Sequence, residues 1–226
     1  MKNLVKTFVV LFLFISQFGS AQVSGDILFG ITSNDAIAQG LDQRILPNIQ
    51  SKVYPSLSAN VNYSIDKHFF VSSGLEITKI GFDMLESTSF DLFGFAIPVG
   101  AKVSYTERTF NIPLHLGFEL PTSFGSIYAK GGVSYAIGAG GSYRLIADSI
   151  IDYVLVNDPI PYGDRVNRAA ISSSFGLGLA ANYGTGQLKI ETIYQHGLTN
   201  KLQQENLNLS LRTKSIGVRA GYSMRF

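Results

Sequence analysis

The chain has no cysteine and no tryptophan, and only 15% of its 226 residues are charged. Without cysteine there is no disulfide, thiolate metal site, cysteine nucleophile or sulfur-linked lipid anchor. A charged fraction of 15% lies well below the roughly 25% of ordinary soluble domains, so something other than water faces much of the surface. The formal net charge is only +2 and the basic residues are scattered, which argues against nucleic acid as a partner. Long apolar runs are also missing. The longest, Phe8 to Ile15, is eight residues, far short of the roughly 20 that a spanning helix needs. An exported chain with neither disulfides nor spanning helices needs another source of stability. Closing a sheet on itself supplies one, because closure removes unpaired edges.

That short run sits in an informative context. Lys2 and Lys6 precede it and Gly19-Ser20-Ala21 follows it, the three-part pattern of an export signal cleaved after a small residue. The pattern predicts a signal peptide over 1–21 and a mature chain over 22–226.

The mature chain is rich in alternation of period 2. At its C-terminus Ile216, Val218, Ala220, Tyr222, Met224 and Phe226 alternate with Ser215, Gly217, Arg219, Gly221, Ser223 and Arg225. From Val53 to Ile65 and from Phe110 to Leu120 the pattern is equally regular, as strands with one apolar face require. Less perfect matches over Val23 to Thr32, His68 to Ile80, Ser126 to Gly138, Ala170 to Tyr183 and Gln187 to Gly197 bring the predicted strands to eight. Each is long enough for the roughly 9 to 11 tilted residues that cross a bilayer. The connections alternate: Asp66-Lys67, Pro121 to Gly125 and Gly184 to Gly186 are tight, whereas 33–52, 81–109, 139–169 and 198–212 are long. This rhythm predicts an all-β fold, an eight-stranded antiparallel up-and-down transmembrane β-barrel with short periplasmic turns and four long external loops.

Alternation alone does not say which face points outward, because soluble barrels share the period with the apolar set inside. Composition decides, since the polar face is mostly Gly, Ser, Asn and Ala, which suit the crowded lumen of a small barrel better than a hydrated exterior. Tyr63, Phe69, Phe118, Tyr183, Tyr222 and Phe226 fall near one end of the apolar face and Phe110, Tyr135 and Tyr194 near the other, as interfacial girdles do. Strand parity then turns Asp26, Glu76, Glu119 and Glu191 inward together with Lys130, Lys189, Arg219 and Arg225. Enclosed charges need partners. Antiparallel neighbours give Glu119 with Lys130, Glu191 with Arg219 and Asp26 with Arg225, and an interior so filled leaves no continuous water channel.

Chemistry is harder to find. His68 lies beside a turn, His115 points into the lumen and His196 ends a strand. Only His196, with a neighbouring Ser and carboxylate, is placed like the catalytic groups of lipid-modifying barrels, and no motif fixes that geometry. Asp148, Asp152, Asp158 and Asp164 lack the spacing of a calcium loop. No Gly-rich phosphate loop opens a helix. The sequence therefore names no catalytic, cofactor-binding or metal residue, no cofactor, and no enzymatic activity. Within the loop 139–169, Ile150 to Val156 is strongly β-prone. It reads as an upward extension of the barrel strands or as an exposed edge for a protein partner.

The terminal Gly217 to Phe226 segment resembles the C-terminal signature of outer-membrane proteins. The resemblance makes Tyr222, Met224 and Phe226 an assembly signal read by the barrel-assembly machinery. Asn111-Ile112-Pro113-Leu114, Tyr128-Ala129-Lys130-Gly131-Gly132 and Tyr194-Gln195-His196-Gly197-Leu198-Thr199-Asn200 resemble the PorT-like outer membrane protein beta-barrel family. That implies a bacterial outer-membrane location in contact with its lipid, and in some members a place in a protein-secretion apparatus. The readings that follow are an envelope or surface-interaction barrel, a secretion subunit, or a narrow porin-like pore.

Overall fold

The computed structural model describes residues 23–39, 48–92, 95–148, 153–163, 166–201 and 210–226. The predicted signal peptide lies outside them. Among the described residues nine strands follow one another: β1 (Val23–Gln39), β2 (Asn48–Ser64), β3 (Phe69–Leu92), β4 (Phe95–Pro121), β5 (Gly125–Asp148), β6 (Tyr153–Pro159), β7 (Ala169–Tyr183), β8 (Gly186–Gly197) and β9 (Ser210–Arg225). Eight of them close antiparallel through β1–β2–β3–β4–β5–β7–β8–β9 and back to β1. The ninth, β6, lies outside the ring and pairs with the far end of β5.

Local chemistry explains both kinds of connection. At the short-turn end Asp66 closes the β2–β3 turn by accepting the backbone N–H of His68 at 2.6 Å and of Phe69 at 2.7 Å, an Asx turn. Gly184 takes φ 59° in the β7–β8 turn, a left-handed conformation that glycine adopts without steric cost. Val23 and Phe226 lie at this same end, where Phe226 N–H bonds the Val23 carbonyl at 2.9 Å.

The other end departs from expectation. The predicted loop 81–109 is mostly ladder, since β3 and β4 run 24 and 27 residues and pair as far as Leu92 with Phe95. The loops 33–52, 139–169 and 198–212 shorten likewise, because β1, β2, β5 and β9 run beyond their predicted bounds. Of the β-prone segment Ile150 to Val156, residues 150–152 lie outside the described residues, and Tyr153 to Val156 belong to β6, which continues the sheet beside Ser142–Ala147 of β5. Alternation fades there because a sheet standing clear of lipid no longer needs one apolar face.

Across the barrel wall the burial alternates inside-out. On β4, Ile112, Leu114, Leu116, Phe118 and Leu120 are exposed, whereas Asn111 and His115 between them are buried. The exposed row from Phe110 to Leu120 spans about 34 Å along the strand, or about 25 Å of height at a tilt of roughly 40°. Phe69 and Phe118 pack with their rings tilted at 59° at the short-turn limit of this belt, centroids 5.2 Å apart.

Candidate functional site

All eight residues assigned inward by parity lie on the inner face, but at two levels. Asp26, Glu76, Lys130, Glu191 and Arg219 are buried, Lys189 is nearly so, at 13% side-chain exposure, and Glu119 and Arg225 line the open mouth at the short-turn end. In the middle layer, Lys130 Nζ meets Glu191 Oε2 at 2.6 Å. Arg219 lies 2.5 Å from Glu76 Oε1 and 3.8 Å from Glu191 Oε1. Tyr128 donates to Glu191 at 3.0 Å and Gln195 to Glu76 at 3.3 Å. Below, Lys189 holds both Asp26 oxygens at 3.0 Å, and Asn62 donates to Asp26 at 2.7 Å.

Of the three expected ion pairs, one is present. Glu191 and Arg219 are register partners. Lys130 passes over Glu119, because its ladder neighbour on β4 is Gly117 while Tyr128 occupies the place opposite Glu119. Asp26 faces Ser223 rather than Arg225 and takes Lys189 from β8. Long side chains in a narrow barrel reach across the lumen, so the stagger of the strands decides the partners. Glycines make the crossing possible. A β-carbon at Gly178 would lie 2.3 Å from the Tyr128 ring, and one at Gly117 would lie 2.1 Å from the Phe70 ring.

His115 Nε2 lies 2.6 Å from Ser174 Oγ, a spacing seen in nucleophile–base pairs. Both are buried, at 4% and 6%, enclosed beside the charged layer rather than open to solvent. His196 meets the Tyr194 hydroxyl at 3.3 Å through Nδ1 and makes no ion pair with a carboxylate among the described residues. His68 stacks on Phe118 at 5.8 Å and sits on the turn. No group of three or more His, Asp or Glu is placed to hold a metal ion among the described residues.

The outer end holds a cluster that the sequence reading missed. Glu107 is fully buried and binds Lys201 Nζ at 3.0 and 3.2 Å, the Tyr105 hydroxyl at 3.0 Å and the Tyr162 hydroxyl at 2.9 Å. Burial and the Glu107 charge hold the Tyr162 phenol well above its ordinary range. Above it Phe82 stacks on Tyr105 at 5.2 Å in an apolar cluster with Ala36 and Leu211. A signal was available, because Glu107, Thr109 and Asn111 continue the inward parity of β4.

Two cavities among the described residues flank this charged interior. One of about 660 Å³ opens at the short-turn end, lined among others by Asn62, Tyr128, Asn182, Gln187 and Arg225. The other, near Asn34, Asn111, Gln195 and Lys201, measures about 20 Å³, room for about one water. Between them lies the buried layer of Glu76, His115, Lys130, Glu191 and Arg219.

No family model and no curated protein matches the chain. Solved structures do. The chain is similar to Ail, the attachment invasion locus protein of Yersinia pestis, in complex with the heparin analogue sucrose octasulfate, at 15% identity over 90% of this chain and 99% of that one, TM-score 0.39. It is similar to the outer membrane protein OprG from Pseudomonas aeruginosa at 12% identity, over 91% and 95% of the two chains, TM-score 0.47. Neisserial surface protein A follows the same pattern, at 10% identity over 89% and 97%, TM-score 0.38.

Proposed function

We propose that this chain is a non-enzymatic outer-membrane barrel that holds a rigid β-sheet outside the cell as a docking surface for a protein partner. Its place in an outer membrane follows from its polarity. An exposed apolar belt about 25 Å tall around a buried polar interior suits lipid and would aggregate in water.

The observation that carries the docking role is the edge of β6. One side of this strand pairs with β5, and its other side has no strand partner among the described residues. Val154 and Leu155 on it are 50% and 56% exposed. An open edge with apolar side chains is a template for an added strand, so the partner is an extended peptide segment. A photo-crosslinker at Leu155 in intact cells is expected to trap that partner, and V154K/L155K to abolish the adduct at unchanged barrel levels. An adduct indifferent to that double substitution would remove the proposal.

A second reading, a PorT-like subunit of a secretion apparatus, rests on the segment Tyr194 to Asn200. Asn200 Oδ1 accepts the Leu211 backbone N–H at 2.7 Å and its carbonyl accepts Asn167 at 2.9 Å, so the segment ties together the outer ends of three strands. Deletion of the gene would halt secretion on this reading and leave it intact on the first.

A further inference from the structure

The geometry points to a phosphate-binding rung on the outer rim of the barrel, formed by Lys79 and Arg108, that takes the headgroup of a membrane lipid. The inference rests on the barrel spanning a bilayer, as proposed above. On β3 the exposed apolar row reaches Leu75 and Ile77, and on β4 it reaches Ile112 and Phe110. Ile77 and Phe110 are register partners, and the next outward-facing pair is Lys79 with Arg108. Both cations are exposed, while Thr78, Glu107 and Thr109 beside them in sequence are buried on the inner face. One step of two residues raises the pair about 5 Å above the belt, the level at which lipid headgroups begin.

Two like charges directly opposite on adjacent strands repel each other. Neither Lys79 nor Arg108 makes an ion pair with any carboxylate among the described residues. Lys214 on β9, by contrast, does have an acid, Asp35 at 3.0 Å. An anion between Lys79 and Arg108 would turn the repulsion into a pair of charge-assisted contacts, and Arg108 offers the fork that phosphate oxygens match. Room exists beside it. The β4–β5 register slips between Glu107 and Thr109, and in that bulge Gly140 has φ 114° with open space where a β-carbon would project.

The test uses the refolded full barrel in phosphatidylcholine nanodiscs doped with phosphatidic acid, with lipids retained in mild detergent counted by native mass spectrometry. Wild type is expected to retain phosphatidic acid over phosphatidylcholine and over diacylglycerol. K79Q/R108Q is expected to weaken retention by about thirtyfold, as for two cations facing an anionic surface. K67Q/R225Q, which removes two positive charges from the opposite mouth, is expected to retain it as wild type does. Equal loss in both variants would mean bulk charge alone and overturn the rung, as would retention unchanged in K79Q/R108Q. Inorganic phosphate added at the same concentration should not displace the lipid, and displacement would reassign the site to the free ion. Both variants should still fractionate with the outer membrane, so failure here is distinct from failure of the membrane placement.

Discussion

The Arg219 guanidinium reaches three strands round the barrel to the Glu76 carboxylate, 2.5 Å away. It also neutralises Glu191 at 3.8 Å, so one cation serves two buried acids. Arg219→Met keeps much of the volume and removes the charge, leaving Glu76 without a cation and Glu191 with Lys130 alone. The expected cost is about 3 to 5 kcal/mol, read as a lowered urea midpoint of the barrel refolded in detergent. An unchanged midpoint would mean that water enters this layer.

Glu107 anchors the outer end as Arg219 anchors the middle. Glu107→Gln leaves Lys201, 3% exposed, without its counter-charge, and about 3 kcal/mol of local stability should go with it. Because Lys201 is then driven toward solvent, trypsin is expected to cut after it much faster than in the wild type, while the belt strands stay protected.

The β2–β3 turn should carry a pH signature. Asp66 is fully exposed, yet the backbone N–H groups of His68 and Phe69 hold its carboxyl below the ordinary value of 3.8. A carboxyl whose folded pKa is depressed stabilises the fold above its unfolded pKa and ceases to do so as pH falls through the folded one. The wild type is therefore expected to be more stable than Asp66→Ala at neutral pH. The difference should begin to shrink as pH falls through about 4 and vanish below the folded pKa. Paired denaturation curves from pH 7 to pH 2 check this, and a constant gap would contradict it.

How much of this was legible in the sequence depends on what each residue faces. Where a strand separates lipid from a crowded lumen, every second residue answers to a different solvent. Phe110 to Leu120 therefore announced its strand, and the inward side of all eight charged residues could be read by parity. Above the belt that contrast disappears. Asp83, buried between Lys52 at 2.5 Å and Lys102 at 3.3 Å, lies in a stretch without one apolar face, so the strand there read as loop. Partners were hidden for another reason. Lys130 finds Glu191 two strands away, and Asp26 finds Lys189, because stagger and side-chain reach set who meets whom, and neither is written in any local pattern.

The buried middle layer also bears on transport. Because Glu76, His115, Lys130, Glu191 and Arg219 fill the cross-section as buried side chains, the barrel should show no steady conductance in planar bilayers. A stable, ion-selective step would show that the charged layer opens, and the pore reading would displace the docking one.

The central claim is that the apolar face of each strand meets lipid and the polar face fills the lumen. The absence of cysteine makes every single-cysteine variant a clean probe. The decisive measurement is spin-label accessibility in bilayers at successive positions from Phe110 to Leu120, comparing oxygen, which partitions into lipid, with a polar nickel chelate. Gly117, which has no room for a side chain against Phe70, is left unlabelled, and the expected result is a strict two-residue alternation, with Ile112, Leu114, Leu116 and Phe118 accessible to oxygen and Asn111 and His115 accessible to neither reagent. Alternation in the opposite phase, or accessibility of both faces to the nickel chelate, would contradict the account.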